Sequence, residues 1–462
     1  MSGYVRLTKI TMENFMNVNY GSLDFYSDEK FNGISLLGLY GQNGSGKTAM
    51  IECFSLLFHL LNGVGVPSYF ADHINTDSNY AKITYEFLIS DDDFGLCPKY
   101  EVCISRTDDD KFKVNVFNEK LSTSFTDAKG KRMIQHAVVD TNCQGKVFVP
   151  DTKFKLFTAG NRDYETDLIV AKKLASTTSS SFIFSDGFND VINKRFSLEN
   201  DREDVLVYAY LIERMHLFGA HELFVIDTRN QGLISLDILP FTLRYDNKMN
   251  NLKRRVMMEN GQAVVSEEEL SSDEKIISNL NIVLSQIIPG LNIRIKNYGE
   301  TTREDGSKGF RIELMSYRKG IEIPLKYESE GIKKIISILQ LLICVYNLPN
   351  ITVCIDELDS GIFEYLLGEL LRIIAEDGHG QLIFTSHNLR PLETIDKNFI
   401  AFTTVNPQNR YIRMNKVKAT NNLRDFYFRD IVISEQKEQL YEKTRNANIA
   451  FAFLKAGQAY ES

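Results

Sequence analysis

Eight consecutive residues, Gly41-Gln42-Asn43-Gly44-Ser45-Gly46-Lys47-Thr48, complete the pattern G-x-x-x-x-G-K-[ST]. That pattern forms a site only where a strand runs into a helix. Both flanks comply: Ile34 to Tyr40 reads as a buried strand, and Met50, Phe54, Leu57, Phe58 and Leu61 recur at helical spacing after the loop. The chemistry of such a turn is anion binding. Gly41, Gly44 and Gly46 let backbone N–H groups of the loop, including those of Asn43 and Ser45, converge on phosphates, and the helix N-terminus adds partial positive charge. Lys47 has the reach to clamp β- and γ-phosphates, and the Thr48 hydroxyl is of the type that ligates Mg²⁺. ATP with Mg²⁺ is the cofactor pair this predicts.

A second constellation lies some 300 residues later. Ile351-Thr352-Val353-Cys354-Ile355 reads as a short buried strand ending in Asp356-Glu357, the Walker B pattern. An acid at that strand end can hold Mg²⁺, which assigns Asp356 to the metal with Thr48. Glu357 beside it is placed to polarise the attacking water. Gly361 to Ala375 reads as a helix stopped by Asp377-Gly378, and Gln381 to Thr385 as another strand, followed by Ser386-His387-Asn388. Only its position after this strand distinguishes His387 from an ordinary structural histidine. There it can sense the γ-phosphate, and we group it with Glu357 as catalytic.

Tyr327-Glu328-Ser329-Glu330-Gly331-Ile332-Lys333-Lys334 opens an apolar helix, Ile332 to Tyr346. The segment resembles a compact ABC-type signature, in which the Ser hydroxyl, the Gly N–H and the helix dipole meet a nucleotide held by another subunit. Taken alone, the segment also fits an ordinary N-cap at Ser329; its order relative to the phosphate loop, the acids and the histidine favours the signature.

With these pieces in order, the opening Leu7 to Phe15, then Leu23-Asp24-Phe25 and the phosphate loop, resembles the N-terminal lobe of the RecF, SMC and OLD branch of ABC-type ATPases. The strings S-E-G-x-K-K, I-D-E-L-D and T-S-H-N resemble AAA15/AAA21-type ATP-binding proteins of bacterial anti-phage operons, such as the ATPase subunits of Septu, PARIS and abortive-infection loci. The resemblance covers roughly residues 1–120 and 310–405. It implies an α/β P-loop head with an N-terminal antiparallel β-subdomain, and it implies ATP hydrolysis, slow in turnover. It also implies a homodimer or higher homo-oligomer closed by an ATP sandwich, with Ser329 and Gly331 acting in trans. The expected role is that of a sensor ATPase controlling a separate nuclease or toxin effector; the alternative is a RecF-like ATPase acting directly on DNA. Two departures stand out. The glutamine that usually reaches Mg²⁺ has only Gln144 and Gln135 as candidates, and Leu358-Asp359-Ser360-Gly361 does not spell the usual D-loop.

The 462 residues suffice for two packed lobes. We expect an N-terminal ATPase lobe over 1–145, a helical or mixed insert over 146–310, the C-terminal ATPase lobe over 311–405 and a tail over 406–462. In the insert, Thr177 to Asn189 reads as a loop, Leu206 to Phe218 and Leu270 to Ile288 as helices, and His221 to Asp227 as a strand. Sustained a/d heptads are absent, which excludes a long coiled-coil arm and points to a compact helical insert. The tail reads as mostly helical after Ser434, either an assembly or partner surface or a docked terminal helix. No apolar run approaches the ~18 residues of a membrane span, no secretory signal opens the chain, and six cysteines without C-x-x-C spacing read as reduced. A cytoplasmic protein with no membrane contact is expected. A net charge of −8 argues against a whole-surface grip on nucleic acid. The basic run Asn247 to Arg255 reads as a solvated face or as a local DNA or RNA contact. Asp91 to Asp93 and Asp108 to Asp110 could be mistaken for metal sites; the second lies between the strand-like runs Tyr100–Arg106 and Lys111–Asn118, so an exposed hairpin turn explains it better.

Overall fold

The computed structural model describes residues 3–25, 35–90, 95–107, 113–126, 134–196, 203–227, 239–243, 252–256, 262–303, 305–414, 423–433, 438–442 and 445–458. Asp91 to Asp93, Asp108 to Asp110 and Lys248 lie outside them.

The chain opens with β1 (Tyr4–Phe15), β2 (Val18–Asp24), β3 (Ser35–Tyr40) and α1 (Lys47–Leu61), then β4 (Tyr80–Ser90), β5 (Gly95–Arg106), β6 (Val114–Thr126) and β7 (His136–Asp140). A helical run follows: α2 (Asp151–Thr158), α3 (Arg162–Thr178), α4 (Asp186–Phe196) and α5 (Glu203–Leu217). Next come β8 (Leu223–Ile226), β9 (Leu239–Leu243), β10 (Leu252–Val256), β11 (Gln262–Val265), α6 (Glu267–Ile287), β12 (Leu291–Thr302), β13 (Lys308–Arg318) and β14 (Ile321–Pro324). The C-terminal part holds α7 (Glu330–Asn347), β15 (Thr352–Ile355), α8 (Glu364–Asp377), β16 (Gln381–Thr385), α9 (Pro391–Thr394), β17 (Ile400–Thr403), β18 (Tyr411–Ile412), α10 (Leu423–Ile433) and α11 (Asn446–Gln458).

Two six-stranded sheets organise the head. One is antiparallel in the order β2-β1-β4-β5-β6-β7; the other runs β18-β17-β3-β16-β15-β8 and is parallel from β17 to β8. In the parallel sheet β16 lies between β3 and β15. The phosphate loop after β3, the acids after β15 and the histidine after β16 therefore emerge at neighbouring carboxyl ends, the edge where open α/β sheets bind ligands. The two sheets are tied by Gln381: its Nε2 donates to Leu7 O at 2.8 Å, and its Oε1 accepts from Leu7 N at 3.1 Å.

Helix α1 is buried almost all round rather than on one face. Cys53, Leu56 and Leu60 are as buried as Met50, Phe54 and Leu57, and Phe58 is only partly covered. The reason is enclosure: Tyr85 of the antiparallel sheet donates to Cys53 O at 2.7 Å, while Leu37, Leu39 and Ile383 of the parallel sheet join the same cluster. A second core gathers α6, α7 and α8 against the parallel sheet.

The interval 146–310 is both helical and β. Its strand β8 completes the parallel sheet, pairing with β15, and β11 and β12 pair with β13 in a separate antiparallel sheet. The serine-rich stretch read as a loop from Thr177 to Asn189 is a loop over 179–185, with its two ends belonging to α3 and α4. Ser179, Ser180 and Ser181 are buried there, and Ser181 Oγ and Phe182 N both donate to the Glu119 carboxylate, which also accepts from Tyr100. Burial pushes that carboxyl up, against the pull of these donors. Of the basic run, Lys253, Arg254 and Arg255 fall on β10, which among the described residues pairs with β9 alone. All six cysteines are free thiols. Among the described residues, no helix is long and apolar enough to cross a membrane. In the tail, α10 lies before the expected helical start at Ser434.

Candidate functional site

The phosphate loop has the backbone that glycine alone allows at its ends. Gly41 lies at φ 157° and Gly46 at φ 94°; a Cβ on Gly41 would meet Thr403 Oγ1 at 1.8 Å, and one on Gly46 would meet Arg410 Cγ at 3.1 Å. Gly44, at φ 74°, has nothing within 4 Å of its Cβ position, so the cradle is open where a phosphate would enter. Ser45 is buried beneath it, hydrogen-bonded to Thr403 and donating to Gln42 O at 2.5 Å. Lys47 Nζ donates to Gly41 O at 2.8 Å and Gln42 O at 3.0 Å. Its ammonium is held across the loop's own carbonyls. Burial lowers its pKa, opposed by Asp356, Glu357 and Asp359. Thr48 follows in the first turn of α1, partly exposed.

The support under this loop was not legible in the motif. Tyr411 OH donates to Gly46 O at 2.7 Å, Arg410 Nη1 donates to Thr404 O at 2.7 Å and Arg410 Nη2 to Asn17 O, while Asn17 Nδ2 donates to Gly44 O. Tyr411 and Gly46 are 365 positions apart, and no local pattern marks such a pair.

At the end of β15, Asp356 is buried; its Oδ1 accepts from Thr385 Oγ1 at 2.5 Å. The same Thr385 hydroxyl accepts from Glu357 N at 2.7 Å. Glu357 sits at φ 45°, a left-handed conformation that costs a non-glycine residue about 1 kcal/mol or more. It is held there from both sides, by Thr385 at its N–H and by Lys334 Nζ, which donates to its carbonyl at 2.7 Å. Lys334 belongs to α7, so the signature-like helix grips the backbone of the acid. Burial pulls its ammonium down to about 8, against the pull of Asp359, Glu357 and Asp356.

Asp359 is engaged within its own chain. Its Oδ2 accepts from His387 N at 3.1 Å and Asn388 N at 3.0 Å, so within its own chain it holds the loop that presents His387. Its Oδ1 is buried without a hydrogen-bond partner among the described residues. Ser329 caps α7, accepting from Ile332 N at 3.4 Å, and is itself exposed. Gly331 packs so closely on the acid loop that a Cβ would meet Gly361 O at 2.2 Å. The N-cap explanation of Ser329 and the signature explanation are therefore compatible: the cap is made in the chain, and the hydroxyl's outer side stays open.

A pocket of about 400 Å³ is lined by Asn43, Glu357, Asp359, Ser360 and His387. It brings the phosphate loop, the acids and the histidine together; Ser329 and Gly331 are not among its lining residues. The open Gly44 cradle, the Lys47 ammonium and the acid wall fit a Mg²⁺–nucleotide. Among the described residues, no group of three or more His, Cys, Asp or Glu side chains could hold a metal. Mg²⁺ typically uses one or two protein ligands plus substrate phosphates, a role Thr48 and Asp356 would fill. The candidate glutamines do not line the pocket. Gln135 Nε2 donates to Ser122 Oγ at 3.0 Å in the antiparallel sheet, and Gln144 is exposed between β7 and α2.

Lys334 carries a pH prediction. Below about pH 8 its amine is charged; above, it is neutral and donates a weaker hydrogen bond to Glu357 O. The profile of kcat/KM reports groups of the free enzyme, so kcat/KM for ATP should fall several-fold as pH rises through about 8. Lys334→Arg, charged throughout, should lose that limb. An unchanged alkaline limb in the variant would assign it to another group.

The model for the AAA ATPase domain family matches residues 6–390. No curated protein matches the chain. Among solved structures, it is similar to an Smc head domain from Pyrococcus furiosus bound to the C-terminal domain of ScpA, at 12% identity over 89% of this chain and 96% of that one, TM-score 0.39. It is similar to the SMC head domain from Thermotoga maritima, at 12% identity over 89% and 99%, TM-score 0.34, and to RecF with ATP, at 14% identity over 89% and 100%, TM-score 0.36. Likenesses at these scores carry no functional weight. The family match spans most of the length, including the phosphate loop, the signature-like helix, the acids and the histidine, and the α/β head with its antiparallel subdomain is the architecture expected. The chain belongs to the AAA ATPase domain family and is an ATPase.

Proposed function

We propose that the chain is an ATP-driven switch whose active site is completed by a second copy and whose assembly state controls a separate effector. ATP and Mg²⁺ would be held by the phosphate loop through Lys47 and Thr48, with Asp356 on the metal. Glu357 would activate water and His387 would face the γ-phosphate, while Ser329 and Gly331 of one copy would close the site of another. The observation that carries this is the contact of Gly331 with Gly361, together with the Lys334 grip on Glu357. The surface offered to a second copy and the acid that works in the chain's own site are thereby one mechanical unit. A ligand can shift an assembly only by binding its states differently, and this linkage supplies such a difference between the ATP and post-hydrolysis states.

The strings S-E-G-x-K-K, I-D-E-L-D and T-S-H-N support placing this switch in bacterial anti-phage defence, with a nuclease or toxin as effector. Expressing the chain with its neighbouring gene in a bacterium under phage challenge should give protection that Lys47→Ala abolishes. Equal plating efficiency with and without the pair across diverse phages would reject the defence role. The RecF-like alternative places the action on DNA itself, for which the basic run with Lys253, Arg254 and Arg255 on β10 is the candidate contact. ATP-dependent DNA binding by the chain alone, lost in Arg254→Glu, would favour that alternative.

A further inference from the structure

One hairpin holds the phosphate loop at both ends. Strands β17 and β18 pair Thr403 with Tyr411, and each of these two residues reaches the loop. Thr403 is fully buried; its hydroxyl meets Ser45 Oγ and donates to Tyr40 O at 3.3 Å, the carbonyl that precedes Gly41. Tyr411 is also buried; its hydroxyl donates to Gly46 O at 2.7 Å and lies 3.5 Å from Met12 Sδ. The start of the loop is thus fixed through Thr403 and its last glycine through Tyr411.

The tyrosine ring sits in a slot rather than on a surface. Met12 and Gly21 are paired across β1 and β2, and a Cβ on Gly21 would meet Tyr411 Cε2 at 2.6 Å, so the ring has room only because residue 21 is a glycine. The turn of the hairpin is fixed to the same strand: Asn19 N and Tyr20 N donate to Pro407 O at 2.9 Å, and Arg410 N donates to Tyr20 O at 3.3 Å. Burial pushes the Tyr411 hydroxyl well up, so it stays protonated and remains a donor.

A buried tyrosine hydroxyl takes a partner wherever it lies, but the choice of Gly46 O has a consequence for the site. Gly46 C=O and Lys47 N–H belong to one planar trans peptide and point in opposite directions. Holding the carbonyl against Tyr411 therefore aims the Lys47 N–H away from the packed side on which Tyr411 lies. Gly46 is the N-cap of α1, so the Lys47 N–H is among the first-turn donors that have no partner within the helix, the kind that takes a phosphate.

We propose that Tyr411 and Thr403 are positioning residues for ATP, setting the peptides at the two ends of the phosphate loop before nucleotide arrives. This rests on the loop being the nucleotide site, as proposed above. Neither residue is needed at the phosphates themselves; each acts through the backbone it holds, and preorganisation of this kind lowers the cost of binding. The loop grips the nucleotide alike in the ground state and the transition state, so a loosened loop shows in KM rather than in kcat.

The test is titration with ADP, which requires no hydrolysis. Tyr411→Phe keeps the ring in the Gly21 slot and removes one hydroxyl. It should weaken ADP binding by about two- to tenfold, the worth of a neutral hydrogen bond, and raise KM for ATP by a similar factor with kcat within about twofold of native. Tyr85→Phe is the matched control, because Tyr85 is also buried and also donates to a carbonyl of α1, Cys53 O at 2.7 Å, about two turns beyond the loop. It should lower the thermal unfolding midpoint about as much as Tyr411→Phe while leaving ADP affinity native. Thr403→Val should weaken ADP binding as Tyr411→Phe does, and Thr403→Ser, which keeps the hydroxyl, should restore it. Native ADP affinity in Tyr411→Phe or in Thr403→Val, alongside its loss in Lys47→Ala, would overturn the positioning role of that residue and leave the site standing. Equal weakening by Tyr85→Phe would trace the effect to a general loosening of α1 and would overturn the role of Tyr411 as well. Native affinity in Lys47→Ala would remove the loop as the nucleotide site, and the positioning role with it.

Discussion

Glu357→Gln should retain ATP and lower kcat for its hydrolysis by about 10²–10⁴-fold, the range that a positioned general base contributes. The substitution keeps the size and the backbone of the residue. Its N–H still meets Thr385 and its carbonyl still meets Lys334, so the left-handed turn at φ 45° persists and only the basic oxygen is lost. Lys47→Ala should fail at the earlier step. The ammonium now bridging Gly41 O and Gln42 O is the group that would turn to the phosphates. Removing it should weaken nucleotide binding by about tenfold or more, in line with the ~1.5–3 kcal/mol of a charge-assisted hydrogen bond. Nucleotide titration and phosphate release, measured on both variants, separate the two effects. Phosphate release at the native rate by Glu357→Gln would remove Glu357 as the base, and native affinity in Lys47→Ala would remove the clamp.

What the sequence made legible follows from how local each feature is. The phosphate loop, β15 with Asp356-Glu357, and β16 with His387 are contiguous strand-and-turn signals, and the parallel sheet sets them side by side at one edge. The strand expected over His221 to Asp227 is β8, yet its place beside β15 was not readable, because pairing partners in a parallel sheet are chosen across long crossovers rather than by adjacency. The same holds for Gln381, whose side chain joins β16 to Leu7, and for Tyr411 and Arg410 beneath Gly46. Lys334 was visible as one of two basic residues in the signature string. Its contact with Glu357 O depends on how α7 packs against the acid loop, and Gly331 permits that approach by lacking a Cβ. Asp359 is a further case: the two N–H groups of the His387 loop that it accepts from lie 28 and 29 positions away, so no local pattern marks the contact.

A shared active site makes a sharp prediction about mixtures, and the choice of substitution decides whether it can be read. Gly331 is unsuitable, since any side chain there would collide with Gly361 O and disturb the acid loop of the same chain. Ser329 is exposed and acts in its own chain only as an N-cap. Asp caps helices about as well as Ser, so Ser329→Asp preserves α7 while adding a carboxylate where the γ-phosphate of a second copy would sit, and like charges at that range repel strongly. Ser329→Asp alone should bind ATP normally when dilute, fail to pair, and lose hydrolysis; Lys47→Ala alone should also be inactive. In a pair made of one of each, one site combines both defects, while the other has a native phosphate loop from the Ser329→Asp chain and a native signature from the Lys47→Ala chain. Each mixed pair keeps one working site of two, so hydrolysis should recover to at most about one half of native if pairing is a symmetric dimer. Recovery would place Ser329 in trans. Mixed pairs that form, as shown by tagged-chain capture, yet hydrolyse no faster than either variant alone would confine the whole site to one chain and leave Ser329 as a cap.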